Sequence, residues 1–385
     1  MAVNDNSISI ILSLSLLIWL SPYLSKILRI PTTPIEIILG SIMAYFGFLS
    51  YHEYFEILGK VGFLYLMFLA GMEVNLKELL SSPKDIINRA LLFLLIMTIS
   101  AISLSIFAGL SVIVIVSMPL ISIGILATLS KEYGKDEEWI KLAFTIGILG
   151  EIISIASLTI IDAYIMVGLS VELIWKIAYL FGFLGFIYII YKFLQVIFWW
   201  YPEFKTLLIP KDNSNDQDIR LSMALFFILI TIMLKLHLEV ALGAFIAGVA
   251  ISTFFHHASY LEEKMSSLGF GFLIPIFFIN VGASFNIQSL FLEGIVTGAL
   301  LITSIMIISR ILGGAILISI RDTKTALLSS ISLSMPLTLI IAVATIGYEV
   351  KLIDILTYYQ LILASLFEII ISMISIKLIK QFMID

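Results

Sequence analysis

The sequence predicts an all-α polytopic membrane protein with thirteen transmembrane helices, and three observations carry that prediction. Of its 385 residues 61% are hydrophobic and only 13% are charged, about half the charge of a soluble chain. Apolar runs recur along nearly the whole length, and the longest polar stretch is the twenty residues "YPEFKTLLIPKDNSNDQDIR" (201–220). The lysines and arginines fall into two groups once the runs are counted. There are no cysteines, so disulfides, thiolate metal sites and cysteine nucleophiles are excluded.

A spanning helix needs roughly 20 mostly apolar residues. That rule places the first span at 7–25, retained rather than cleaved because "MAVNDNS" lacks a basic leader region. Spans 2 to 4 follow at 34–50, 56–73 and 89–109. Span 5 at 111–129 is set off from span 4 by a tight joint. Spans 6 and 7 occupy 139–163 and 172–200, the latter ending in Trp199, Trp200 and Tyr201, an interfacial aromatic belt. Spans 8 and 9, at 220–235 and 238–255, are again closely joined. Spans 10 to 13 cover 266–284, 291–319, 324–347 and 356–379. With thirteen crossings, seventeen Lys and Arg collect on one side and four on the other, with Arg310 inside a span completing the 22. A wrong count would scramble that partition, and the positive-inside rule then puts the N-terminus outside and the C-terminus in the cytoplasm of a plasma-membrane protein.

Two pairs of spans echo each other. "EIILGSIMA" (36–44) in span 2 and "EVALGAFIA" (239–247) in span 9 share Glu, Leu, Gly and Ala at one spacing. "FLYLMFLAGMEVN" (63–75) in span 3 and "FLIPIFFINVGASFN" (272–286) in span 10 share Phe-Leu, a later Phe and G-x-x-x-N. An offset of seven spans reverses orientation, the signature of an inverted repeat in secondary transporters. The expected domains are a first repeat at 1–163, a linking span and cytoplasmic loop at 164–219, and a second repeat at 220–385, with no soluble domain after it. Spans 5 and 12 correspond in this scheme. Span 5 carries Pro119 and Gly124 in "IVSMPLISIGILATLS", and span 12 carries Pro336 in "SSISLSMPLTLIIAVATIG". A proline inside a helix frees a carbonyl, and bare backbone at membrane depth is tolerated only in protein or along a cavity. Two such segments in corresponding positions point to a binding site, with a pair of simple proline kinks as the alternative.

Four motifs in order resemble the monovalent cation:proton antiporters, the branch with Kef-type and NapA-type exchangers. "IPTTPIEIILGSIMAYFGF" (30–48) is similar to that family's Pro-x-x-x-Glu-x-x-x-Gly opening, and "LYLMFLAGMEVN" (64–75) to its Phe-x-x-Gly-x-Glu segment. "ALGAFIAGVAIS" (241–252) and "IPIFFINVGASFN" (274–286) resemble its GAF-x-AG and Pro-x-FF elements. The resemblance implies an NhaA-like fold with two discontinuous helices crossing near the midplane, roles that spans 5 and 12 fill, and a core domain that moves against a dimerisation domain. It further implies a homodimer in the lipid bilayer and exchange of Na⁺ or K⁺ for H⁺. It also implies an acidic pair in span 6, Asp-Asp, Asn-Asp or Gln-Asp, whose second member binds the cation or proton. Here "GILGEIIS" (147–154) puts Gly150-Glu151 at that pair, a departure at both positions. The family's basic residue of span 11 matches Arg310.

Glu151 stands between apolar flanks, where an ionisable group costs roughly 3 kcal/mol on insertion scales. A carboxylate there holds a proton or a hard cation by turns, and competition for one site plus alternating access yields exchange. Oxygen ligands suit such a cation, which adds Ser122, Thr128 and Ser154 as candidates beside Glu151, with Arg310 as charge partner. Arginine does not release its proton, so one acid and one permanent cation suggest electroneutral one-for-one exchange. Asn280 is a candidate to bond a broken-helix carbonyl, and Glu73 closes span 3 at the cytoplasmic edge. Glu36 in "TPIE" reads as a capping box with Thr33 as cap and Pro34 at the first helical position. Asp162 and Glu368 receive no role. No metal beyond the transported cation, no cofactor, no nucleic-acid partner and no enzymatic constellation is expected. The rival readings are a non-transporting scaffold or sensor that kept the fold, and an organic-anion symporter.

Overall fold

The computed structural model describes residues 5–28, 32–49, 52–74, 83–168, 170–201, 203, 216–236, 238, 240–254, 259–285, 287–288 and 293–382. The described residues are helical throughout, with no strand among them. In chain order the helices are α1 (Asp5–Leu28), α2 (Thr32–Tyr45), α3 (Glu53–Met72), α4 (Lys84–Phe107), α5 (Val112–Ser117), α6 (Gly124–Tyr133), α7 (Glu138–Val167) and α8 (Val171–Trp200). Then come α9 (Gln217–Leu236), α10 (Val240–Phe254), α11 (Ser259–Leu268), α12 (Ile274–Ser284), α13 (Ile295–Gly314), α14 (Thr323–Ser332), α15 (Leu337–Glu349) and α16 (Ile355–Phe382). Among the described residues nine helical stretches are long and apolar enough to cross a membrane, and Val240–Phe254 and Leu339–Tyr348 are shorter apolar helices. The chain is a multi-pass membrane protein.

Where the sequence predicts one helix at 266–284, the chain forms α11, a π-helical turn (Gly269–Leu273) and α12. The wide turn falls on "GFGFL", where glycines alternate with large side chains, and Pro275 then opens α12 near its N-terminus. The joint at 109–111 is a turn: α4 stops at Phe107 and Gly109 takes φ +67°, a conformation that favours glycine. The capping-box reading of Glu36 is corrected. α2 begins at Thr32, so Thr33 and Pro34 lie within it, and Glu36 accepts a hydrogen bond from Ser21 of α1 at 3.2 Å. Asn75, Glu239, His256 and His257 lie outside the described residues, as does most of the 201–219 loop.

The chain divides into two compact units. The first comprises Met1–Phe63, Ser82–Ser154 and Phe270–Asp385. Within it α2 packs along α12, α13 lies between α4 and α16, and α15 rests on α16. Lipid offers no hydrophobic drive for helix association, so contact rests on close backbone approach and polar links. The α2–α12 crossing has both. Gly40 sits against the Ile279 carbonyl and Gly282 against that of Ile37, while Ser41 Oγ donates to the Gly282 carbonyl at 2.7 Å. Between α13 and α16, Thr303 Oγ1 donates to the Ala364 carbonyl at 3.0 Å.

The second unit comprises Leu64–Ser81 and Ile155–Gly269. Its centre is an aromatic cluster of Tyr65, Phe68 and Phe226, with Tyr65 Oη donating to the Met265 carbonyl at 3.1 Å. Gly71 and Gly248 let α3 and α10 approach backbone to backbone. Along α8 the large apolar side chains Phe181, Phe193 and Trp199 are exposed, as a membrane span exposes them to lipid.

Candidate functional site

In the first unit two helices are interrupted. α5 ends at Ser117 and α6 begins at Gly124, so Met118–Ile123 run as non-helical chain with Pro119 among them. α14 ends at Ser332 and α15 begins at Leu337, leaving Leu333–Pro336 non-helical, with Pro336 as the cap of α15. Each interval removes helical partners from several backbone groups in a region with little water, and those groups must be satisfied locally. Side chains from three other helices do so: Ser372 of α16 donates its Oγ to the Ser334 carbonyl at 3.4 Å, and the remaining three come from α7 and α13.

The first two come from α7. Gly147, Gly150, Glu151 and Ser154 follow the i, i+3, i+4, i+7 spacing of one helical face. That face is turned to the first interval. Glu151 is fully buried, and its Oε2 accepts the Ile123 N–H at 2.6 Å. Ser154 Oγ accepts the Ile121 N–H at 2.9 Å. Ser122 is the other polar neighbour of the Glu151 carboxyl, and its Oγ also accepts from Gly124 N at 3.4 Å. The second oxygen of Glu151, Oε1, has no hydrogen-bond partner among the described residues. Gly150 and Gly147 allow this close approach: a Cβ on Gly150 would meet the Ile121 side chain at 2.9 Å, and one on Gly147 would meet Ile123 at 2.6 Å. The interval lies directly on the helix.

The third is Arg310 of α13, fully buried. Its Nη1 donates to the Met118 carbonyl at 3.1 Å and to Met306 at 3.0 Å, its Nη2 to Leu120 at 2.6 Å and its Nε to Leu333 at 3.4 Å. Met118 and Leu120 belong to the first interval and Leu333 to the second. The planar fork of donors that distinguishes arginine from lysine thus serves both breaks at once. The sequence reading paired Arg310 with Glu151; the ion pair that the structure shows is with Glu368 of α16, Nη1 to Oε1 at 3.8 Å, both side chains fully buried. Neither oxygen of Glu368 has a hydrogen-bond partner among the described residues. Sequence reasoning gave Glu368 no role, although "SLFEIIIS" (365–372) carries the same signal as "GILGEIIS", one acid in an apolar run.

The remaining candidates lie elsewhere. Thr128 lines a cavity of about 750 Å³ together with Glu36, Glu132, Tyr133 and Lys377, a wall that does not include Glu151. Asn280 of α12 packs against Gly59 of α3. Glu73 follows the last turn of α3 in the second unit. Among the described residues no three His, Asp or Glu side chains gather as metal ligands would.

This arrangement sets a buried, unpartnered oxygen of Glu151 at the first interval, and a guanidinium that spans both intervals and faces a second buried acid, Glu368. Comparisons with known proteins agree with a transporter architecture. A family model described as "Sodium/hydrogen exchanger, transmembrane" matches residues 11–381. The chain is similar to "Putative Na(+)/H(+) antiporter YjbQ" of Bacillus subtilis, 26% identical over 350 residues, which cover 85% of this chain and 55% of that protein. It is 28% identical over 287 residues to "Probable Na(+)/H(+) antiporter 3" of Methanocaldococcus jannaschii, covering 71% of each. It is 26% identical over 195 residues to "Na(+)/H(+) antiporter" of Enterococcus hirae, covering 49% of each. The chain therefore spans about half the length of two of these relatives. Among solved structures it resembles the sodium proton antiporter MjNhaP1 from Methanocaldococcus jannaschii at pH 8, with a TM-score of 0.65 and 16% identity over 98% of this chain and 99% of that one. That likeness is one of fold. The family match, which runs from the first helix into the last, is decisive: the chain belongs to the sodium/hydrogen exchanger family of membrane proteins.

Proposed function

We propose that the protein exchanges Na⁺ or K⁺ for H⁺ across the membrane by alternating access, with Glu151 as the group both ions compete for. The observation that carries the reading is the Glu151 carboxyl itself. It is fully buried, held by the Ile123 N–H of a helix break through one oxygen, and without a hydrogen-bond partner among the described residues on the other. An acid in that position takes a proton or a desolvated monovalent cation, not both. Ser122 and Ser154 supply oxygen ligands from the same locality, and Thr128 lies further along α6 on the cavity wall. Pro119, Gly124 and Pro336 act as the breaks that free backbone oxygens.

In this reading the nine long helices, together with α2, α10 and the interrupted pairs α5–α6 and α14–α15, make thirteen crossings. The repeats are 1–163 and 220–385, joined through 164–219. Support comes from the helix pairings. If spans 2 and 3 correspond to 9 and 10, a contact of span 2 with span 10 requires one of span 9 with span 3. The α2–α12 crossing through Gly40 and Gly282 and the α10–α3 crossing through Gly248 and Gly71 are that pair. The distribution of Lys and Arg supports a cytoplasmic C-terminus, and the family resemblance supports a homodimer. Exchange is one cation for one proton.

The test is proteoliposome exchange followed with an internal pH dye, using Na⁺ and K⁺ gradients on the wild type and Glu151→Gln. Cation-driven proton flux is expected in the wild type and at background in the variant. Flux that survives the substitution removes Glu151 from the mechanism, and a folded wild type with no flux favours a scaffold.

A further inference from the structure

Glu368 has no part in the exchange as described, yet it is buried as deeply as Glu151. It lies midway along α16, and the helices packed on α16 are α2, α13, α14 and α15. The charged group that acts on it is Arg310 of α13. Glu36, on α2, is bonded to Ser21 and lines the cavity. Among the described residues both oxygens of Glu368 lack hydrogen-bond partners, whereas the guanidinium donates to four carbonyls. Glu368 is therefore held by charge alone. Its geometry is poor as a structural clamp: at 3.8 Å it lies beyond a charge-assisted hydrogen bond, near 2.8 Å.

The consequence concerns the cation. Arg310 holds the Met118 and Leu120 carbonyls of the same six-residue interval whose Ile123 N–H holds Glu151. A permanent positive charge on that interval repels any monovalent cation approaching Glu151. We propose that Glu368 is a positioning residue for the exchange, a standing counter-charge that cancels Arg310 and leaves Glu151 the one uncompensated charge at the helix breaks. This rests on Glu151 being the cation site. A unit charge about 10 Å from a monovalent cation at an effective dielectric of about 20 alters binding on the order of tenfold.

The experiment measures proton flux in proteoliposomes against Na⁺ concentration for the wild type, Glu368→Gln, Glu368→Asp and Glu151→Gln. Glu368→Gln keeps shape and removes charge. Its half-saturating Na⁺ is expected to rise about tenfold while the maximal rate changes by less than about threefold. Glu368→Asp keeps the charge and restores half-saturation to within about twofold of the wild type. An unshifted Gln variant overturns the proposal, as does an Asp variant shifted as far as Gln. If Glu368→Gln does not fold, Glu368→Met, of similar volume with no polar group to bury, carries the same expectation. Flux surviving in Glu151→Gln overturns the exchange reading itself. Loss of flux there with an unshifted Glu368→Gln overturns the counter-charge alone.

Discussion

Replacing Arg310 measures what the helix breaks cost to maintain. Three of its acceptors, the carbonyls of Met118, Leu120 and Leu333, lie in the interrupted segments, and the fourth, Met306, is one turn back on its own helix. Met306 keeps the ordinary helical bond from the Arg310 backbone, so the loss falls on the three. A buried polar group left unsatisfied costs about 1–3 kcal/mol. Lysine at 310 retains the charge that faces Glu368 but concentrates its donors at one point, so it cannot reach both breaks. At least one carbonyl is orphaned and the others are bonded less well, and Arg310→Lys is expected to lose about 2–4 kcal/mol. Arg310→Leu orphans all three and leaves Glu368 a buried acid without its cation, which adds the penalty of breaking a buried pair, about 3–5 kcal/mol. The sum rivals the whole stability of a typical domain, about 5–15 kcal/mol. The assay is tryptophan fluorescence in detergent, as a thermal scan and a denaturant titration, with monodispersity checked by size exclusion. The expected order is wild type, then Lys, then Leu, with the Leu variant poorly recovered. A Leu variant that unfolds with the wild type would refute the reasoning, because the break carbonyls would then be shown to need no guanidinium.

Two further outcomes follow from local geometry. Gly282→Leu drives a side chain into the Ile37 carbonyl on α2 and is expected to cost more than the 1–3 kcal/mol usual for overpacking, about 3 or above, whereas Gly182→Ala meets nothing within 4 Å and is expected to be neutral or slightly stabilising, with yield and thermal midpoint as the readout. Asp322 caps α14 by accepting the Thr325 N–H at 2.9 Å, and that bond holds its carboxyl below the ordinary value of 3.8. Because its folded value is depressed, the contribution is present above pH 4 or so and fades as pH falls through the folded value. Asp322→Ala is therefore expected to cost about 1 kcal/mol near neutral pH and to converge with the wild type in strong acid, as denaturant midpoints at the two pH values would show.

Much of the site was legible because membranes make polar residues conspicuous. Glu151 and Arg310 stand out against their flanks, and Pro119, Gly124 and Pro336 mark helix interruptions by covalent geometry alone. Glu368 carries the same signal as Glu151 but lacks a neighbouring break or motif, so nothing local says what it faces. Its partner lies 58 positions away and becomes visible only when α13 meets α16. Glu36 misled for the opposite reason. "TPIE" fits a local capping pattern so well that the tertiary alternative, Ser21 on a different helix, is not suggested by sequence. Helix lengths followed the 20-residue rule where a span runs unbroken, as in α4 and α13, and departed from it in α2 and α10, whose 14 and 15 residues fall short. The π turn before α12 was invisible because alternating glycine and phenylalanine in "GFGFL" keeps the apolar character of a regular helix.

The shared guanidinium also limits how this protein can change shape. One interval cannot slide past the other without tearing Arg310 from carbonyls on at least one side, and water is scarce there to heal the loss. The two interruptions are yoked. In any rearrangement of this unit, both broken helices must ride together as a single piece, with α13 as the axle between them.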